Sequence, residues 1–283
     1  MPKRTLSDDV RAKLRYVRVP DGEVCLDRFP DFFIVGPQRT ATTWLHANLR
    51  EHPEVFLAEP KELLFFNRLA TPDHPKHKSA QLTWYLAYFG EQPHYWLYKQ
   101  ALSLWRHRTV YWPKVRGEAS ASYSALEPEI IAEVAALNPD LRIVMMVRDP
   151  VERAWSHAKK DLVRNAGRKF DDVTDDEWHA FFSDPYQLRC AQYARNAENW
   201  RAALGEDRVF VRDSSEASDR PESLLRETLD FLGVRSDLEH LGSSVGRVVN
   251  PAGHSEVPAK HRRYLEDLLG DEIASWRENY ARD

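Results

Sequence analysis

The stretch DFFIVGPQRTATTWLHANLR, residues 31–50, decides the fold. Phe32 to Val35 is an uninterrupted apolar run closed by Gly36, the mark of a short buried strand. From Thr42 to Arg50 the apolar residues Trp44, Leu45 and Leu49 recur at helical spacing. The order is strand, tight turn, helix. A turn of this kind aims the free N–H groups and positive dipole end of the helix at one spot, which suits an anion.

The same grammar repeats outward from this segment. Leu141 to Val147 (LRIVMMV) is the clearest buried strand, and Asp149-Pro150 opens a helix through about Arg164 with Asp149 as its cap. Shorter strands are predicted at Val55–Leu57, Arg116–Ser120 and Arg208–Val211. Helices are predicted at Gln81–Phe89, Pro128–Leu137, Gln187–Leu204 and Glu222–Leu232, the last stopped by Gly233. Residues 260–280 read as one helix, or two broken near Gly270. Residues 70–80 read as a loop, and 90–115 show no clear period. Strands alternating with helices imply an α/β domain with a central parallel sheet flanked by helices. It is expected to span 31–283, after an N-terminal arm at 1–30.

Composition narrows the function. The chain has 283 residues, 42% hydrophobic and 30% charged, with formal net charge −4. So balanced a charge argues against nucleic acid as a partner, and any anion site must be built locally. The N-terminal residues lack a hydrophobic signal core, and no apolar run is long enough for membrane insertion. The expectation is a soluble, cytoplasmic protein. Cys25 and Cys190 are read as buried or half-buried thiols, not a disulfide. No metal-ligand spacing surrounds either cysteine and no HExxH occurs, so no metal site is predicted.

Two motifs carry chemistry. Gly36 to Trp44 compares with the triphosphate loop G-x-x-x-x-G-K-[ST]. Gly36 matches the first glycine, Ala41 stands at the second, Thr42 at the lysine and Thr43 at the metal-binding hydroxyl. The usual lysine is missing and the cation lies inside the loop, at Arg39. Thr40, Thr42 and Thr43 supply hydroxyls, and Arg39 a fork for anionic oxygens. The plainer reading is a helix start with ordinary threonines. The second motif, Arg148 to Lys160, follows the clearest strand. Arg148 stands at that strand's carboxyl end, where open α/β sheets bind ligands, and Ser156 lies about two helical turns on. The plainer reading pairs Arg148 with Asp149 or Glu152 and leaves Ser156 exposed. Two anion sites at two strand ends suit a nucleotide with both a 5′ and a 3′ phosphate.

At these residues the chain resembles the sulfotransferases that use 3′-phosphoadenosine-5′-phosphosulfate (PAPS), above all the heparan-sulfate-type and related bacterial enzymes. GPQRTATTWL resembles the family's 5′-phosphosulfate loop and RIVMMVRDPVERAWSH its 3′-phosphate motif. The likeness continues in EVFLAEPKELLFF (54–66) and QYARNAENW (192–200), in the right order over most of 31–235. It implies a single P-loop-like domain, PAPS as donor, PAP as product, and no metal. It assigns Gln38, Arg39, Thr40, Ala41, Thr42, Thr43 and Trp44 to the 5′-phosphosulfate, Arg148 and Ser156 to the 3′-phosphate, and Tyr193 to the neighbourhood of the nucleotide. Glu62 falls at the family's catalytic base. A carboxylate against an apolar wall is a better base near neutral pH, although Lys61 opposes that. Without the likeness, Lys61-Glu62 reads as a solvated pair. Glu118, His46 and His157 are weaker candidates.

Three departures matter. Arg39 replaces the usual lysine, so it stabilises charge rather than donating a proton. Ala41 replaces a usual glycine, so the loop must tolerate a methyl group. Ala119 stands near a lysine common in heparan-type enzymes, which argues against the same polysaccharide. The nucleotide-covering loop is expected at Asn250–Pro258. Twelve aromatic residues from Phe65 to Trp112 suit a wall for a sugar face, an aromatic ring or a lipid-like acceptor. The expected acceptor is a hydroxyl or amine of a small molecule or glycoconjugate. The alternatives are a P-loop kinase using ATP and magnesium, which the missing GK[ST] disfavours, and a non-catalytic nucleotide-binding protein.

Overall fold

The computed structural model describes residues 4–75, 77–237, 245 and 256–281. Along the chain run α1 (Asp8–Lys13), β1 (Phe32–Val35), α2 (Thr42–Glu51), β2 (Val55–Leu57), α3 (Leu82–Leu86), α4 (Pro93–His107) and β3 (Val115–Ala119). Then come α5 (Pro128–Leu137), β4 (Arg142–Val147), α6 (Pro150–Ala158), α7 (Asp175–Phe182), α8 (Pro185–Ala191), α9 (Tyr193–Leu204) and β5 (Val209–Asp213). The chain closes with α10 (Glu216–Asp219), α11 (Pro221–Leu232), α12 (Ala259–Leu268) and α13 (Gly270–Asn279).

The strands form one sheet in the order β2-β3-β1-β4-β5, and every pairing is parallel. Such a sheet buries both faces, which is why Phe32–Val35 and Ile143–Val147 are apolar without alternation. Phe33, Val35, Ile143 and Met145 pack into one core with α5 and α9, while Phe32, Ile34, Val144 and Met146 pack into another with α2 and α11. From β1 the chain steps outward to β2 and β3, then crosses back to β4 on β1's other side. That reversal opens a crevice at the carboxyl ends of β1 and β4.

Residues 4–30 are built into the first core. Leu6, Val17, Val24, Leu26 and Phe29 are buried there, and the Glu133 carboxylate on α5 accepts the N–H groups of Arg15, Tyr16 and Val17 at 2.7–2.8 Å. Among the described residues no helix is long and apolar enough to cross a membrane.

Four local readings change. The helix predicted over Gln187–Leu204 is two, because Gln192 leaves helical backbone (φ −76°, ψ 61°) between α8 and α9. Beside that break the Arg189 carbonyl accepts both the Gln192 N–H (3.2 Å) and the Asn196 side-chain amide (2.8 Å). Residues Lys159–Asn165, predicted as plain helix, continue α6 as a π-helix. Residues 93–107, which showed no period, form the 15-residue helix α4. Cys25 is exposed rather than half-buried; Cys190 is buried, and both are free thiols.

Candidate functional site

Backbone geometry marks the site first. Among the described residues Arg39, Ala41, Glu62, Leu64 and Arg108 are the non-glycine residues in left-handed conformation. Each costs on the order of 1 kcal/mol or more, and the first four line the segments that follow β1 and β2. Ala41, at φ 60°, is the N-cap of α2, which explains why a glycine is the usual residue there. Gly36 has φ 137°, and a Cβ on it would meet the Met146 carbonyl oxygen at 2.3 Å. The missing side chain lets the loop lie directly on β4.

The start of α2 leaves backbone donors open by construction. The first helical bond of α2 runs from Leu45 N–H to the Ala41 carbonyl (3.1 Å), so the N–H groups of Thr42, Thr43 and Trp44 precede the ladder. The Thr40 side chain is committed to the loop itself and donates to the Pro37 carbonyl (2.8 Å). The Trp44 ring is buried in the second core, so what it offers the loop is its N–H. Gln38 ties the loop to α8 through the Tyr186 hydroxyl (2.8 Å).

The two motifs meet. Arg39 Nε donates to Ser156 Oγ at 2.9 Å, across 117 residues of sequence. Ser156 is buried, not exposed on its helix. Arg148 Nη1 reaches the Arg39 carbonyl at 3.5 Å. Asp149 does not pair with Arg148; it caps α6 by accepting the Glu152 N–H (2.8 Å). Glu152 lies 3.8 Å from Arg148 but is held more closely by Arg262, at 2.7 Å. Tyr193 is buried, and its hydroxyl donates to the Arg148 carbonyl (2.8 Å), fixing the backbone beneath that arginine. Burial pushes the Tyr193 phenol upward, so it stays a neutral donor.

Two further cations belong here that sequence reasoning missed. Burial lowers the pKa of Arg39, and repulsion from Arg164 and Arg148 lowers it further, against a pull from Asp161. Lys159 is lowered too, by burial and by Arg39 and Arg148, with Glu152 opposing. Arg39 thus feels Arg148 and Arg164, and Lys159 feels Arg39 and Arg148, beside two carboxylates: Glu152, held most closely by Arg262 (2.7 Å), and Asp161, 3.3 Å from His157. Like charges are held together this way where an anion completes the balance. Lys159 follows Ser156 by three residues, on the same face of the helix, and that spacing was the available signal.

Glu62 stands on the other side of the loop. Its carboxylate accepts the Ala121 N–H at 3.1 and 3.3 Å and pairs with Lys61 at 2.6 Å. The carbonyl of the same Ala121 accepts the Gly36 N–H (3.2 Å), so one residue joins Glu62 to the start of the loop. Its hydrogen-bonding partners are thus an amide and an ammonium. Burial acts strongly on Glu118, on β3. Desolvation pushes its carboxyl up to about 7, against hydrogen bonds from Ser120, Tyr85 and Tyr123. Ser120 Oγ, bonded to Glu118 at 2.6 Å, also accepts the Leu64 N–H (3.2 Å), so this network underpins the turn that carries Glu62.

Of the other candidates, His46 is buried and pushed down to about 4 by desolvation, then by Lys61 and Arg50. His157 is fixed between Gln187 (3.0 Å) and Asp161. The aromatic wall divides. Phe65, Phe66, Tyr85, Phe89 and Tyr111 are core, whereas Trp96, Tyr98, Trp105 and Trp112 are exposed. Of the expected covering loop Asn250–Pro258, residues 250–255 lie outside the described residues.

Residues 30–237 match the sequence profile of the sulfotransferase family. The chain belongs to that family. The sulfotransferase from Alicyclobacillus acidocaldarius shares the fold with a TM-score of 0.59 and 23% identity, over 90% of this chain and 96% of that one. The sulfotransferase domain of the Synechococcus PCC 7002 olefin synthase superposes with a TM-score of 0.51 at 18% identity, over 90% and 98%. Among curated sulfotransferase relatives, the mouse bifunctional heparan sulfate N-deacetylase/N-sulfotransferase 4 is 27% identical over 240 residues, 80% of this chain and 24% of the relative. The human bifunctional heparan sulfate N-deacetylase/N-sulfotransferase 1 is 26% identical over 233 residues, 77% and 24%. The chain spans about a quarter of the length of these relatives.

Proposed function

We propose that this sulfotransferase moves a sulfuryl group from PAPS to a hydroxyl or amine of a small molecule or glycoconjugate, with Glu62 as base. One observation carries the reading. The loop after β1 and the helix after β4 are joined side chain to side chain, Arg39 to Ser156, with Arg148 against the same loop. A ligand with two phosphate-like groups fits two anion sites at neighbouring strand ends, and these residues fit the donor. The N–H groups of Thr42, Thr43 and Trp44 with Arg39 would hold its 5′-phosphosulfate, and Arg148 with Ser156 its 3′-phosphate.

The donor supplies the sulfuryl group: its bond to the 5′-phosphate oxygen breaks as the bond to the acceptor forms, and PAP departs with the electron pair. Glu62 takes the acceptor's proton, fixed in position by the Ala121 amide. Arg39 stabilises the charge gathering on the departing oxygen and remains protonated. The cradle N–H groups are aimed before reaction, so little reorganisation is needed.

Calorimetry with PAP and with ATP plus magnesium, followed by transfer of labelled sulfate from PAPS to an acceptor panel, tests the proposal. PAP binding without a metal requirement, and label in an acceptor, are expected. Magnesium-dependent ATP binding in preference to PAP would replace the reading with that of a kinase.

A further inference from the structure

The turn that carries Glu62 is held from one side. Glu62 and Leu64 both stand in left-handed conformation, at φ 65° and 59°, so the turn persists only where its surroundings over-determine it. Three of its N–H groups go to residues 119–123. The Glu62 N–H donates to the Ala119 carbonyl (2.8 Å), the Leu64 N–H to Ser120 Oγ (3.2 Å) and the Phe66 N–H to the Tyr123 hydroxyl (3.3 Å).

Two of these three acceptors are hydroxyls, which can turn about their C–O bonds. Glu118 removes that freedom. Ser120 Oγ donates to Glu118 Oε1 (2.6 Å), the Tyr123 hydroxyl bonds the same carboxyl, and the Tyr85 hydroxyl from α3 takes Oε2. A hydroxyl has one proton to give. Having given it to Glu118, Ser120 and Tyr123 each turn a lone pair towards a turn N–H. Glu118, Ser120, Tyr123 and Tyr85 are all fully buried, so no water competes for these bonds. The same burial keeps both hydroxyls from touching substrate.

The geometry points to Ser120 and Tyr123 as positioning residues for the base: their hydroxyls, oriented by Glu118, hold the turn that sets the Glu62 carboxylate on the Ala121 N–H. The inference rests on Glu62 being the base. A small displacement of a reacting group costs rate far more than it costs ligand binding, so the effect belongs in turnover.

Ser120→Ala and Tyr123→Phe each remove one hydroxyl and keep the rest of the side chain. Sulfuryl transfer from PAPS is measured for each, in the wild-type and Glu62→Gln backgrounds, below the melting temperature and at about pH 8, above the Glu118 value of about 7. Each variant is expected to lower kcat on the order of 10- to 100-fold with PAP affinity, read by calorimetry, unchanged. Neither should cost anything further once Glu62 is Gln, because a residue that acts through another has nothing left to act on. Hydrogen exchange supplies a readout independent of turnover: the Leu64 and Phe66 amides should lose protection while those of β1 and β4 keep theirs. Should Ser120→Ala fail to fold, Tyr123→Phe decides. A wild-type kcat, an equal loss in the Glu62→Gln background, a fall in PAP affinity or unchanged amide protection would each overturn the inference. A wild-type rate in Glu62→Gln alone would instead remove the base assignment, and this inference with it.

Discussion

Replacing Glu118 by Gln tests the electrostatics beneath the site without touching substrate. Glu118 is fully buried at the end of β3, and its carboxyl is pushed from 4.5 to about 7, chiefly by desolvation. A raised carboxyl pKa means that the folded state holds the proton while the unfolded chain releases it. Stability from this group is therefore intact below 4.5, falls as pH rises towards 7 and is flat beyond. By linkage, because the unfolded chain ionises first, this group costs the native state about 1 kcal/mol at about pH 5.5 and about 3 kcal/mol at about pH 8, relative to acid pH. Gln keeps the shape and cannot ionise. Urea unfolding at those two pH values should show the stability difference between variant and wild type shifting by about 2 kcal/mol in favour of the variant at the higher pH. Contributions from other groups largely cancel in that difference. Parallel pH dependences for the two proteins would show that Glu118 is not held neutral by burial, and would refute the reasoning.

Arg148→Ala should weaken PAP binding by about 1.5–3 kcal/mol, the loss of a charge-assisted hydrogen bond or two, read by calorimetry; unchanged affinity removes Arg148 from the nucleotide site. Glu62→Gln should lower turnover on the order of 100- to 10,000-fold with PAP affinity nearly unchanged; a wild-type rate means that another group takes the proton. Gly36→Ala should destabilise the fold by roughly 2 kcal/mol or more, because its Cβ would meet the β4 backbone at 2.3 Å; a urea midpoint equal to the wild type would contradict the close approach.

The units that depend on near neighbours were legible in sequence. The apolar run ending at Gly36, the helix after it, the long strand before Arg148 and the Asp149 cap are each encoded within a few residues, so period and capping chemistry expose them. What failed locally had a countervailing tertiary cause. Helix α4 was hidden because its pattern is inverted: the apolar residues Leu97, Tyr98, Leu104 and Trp105 are exposed while Lys99 and Ser103 are buried, so the period pointed away from any core. The break at Gln192 was hidden because helical pattern runs on both sides of it and the Arg189 carbonyl there is satisfied by the Gln192 N–H and the Asn196 side chain.

Sequence alone determined the two motifs and the residue types within them. It did not determine that they share a crevice. That followed from the strand order, which sets β4 beside β1 although β2 and β3 intervene in the chain, and so brings Arg39 onto Ser156. Glu62 and Ala121 are likewise 59 residues apart, and only the turns after β2 and β3 join them. Local pattern records what each segment must bury; which polar groups then face one another depends on how the crossovers order the strands, and no short window of sequence contains that order.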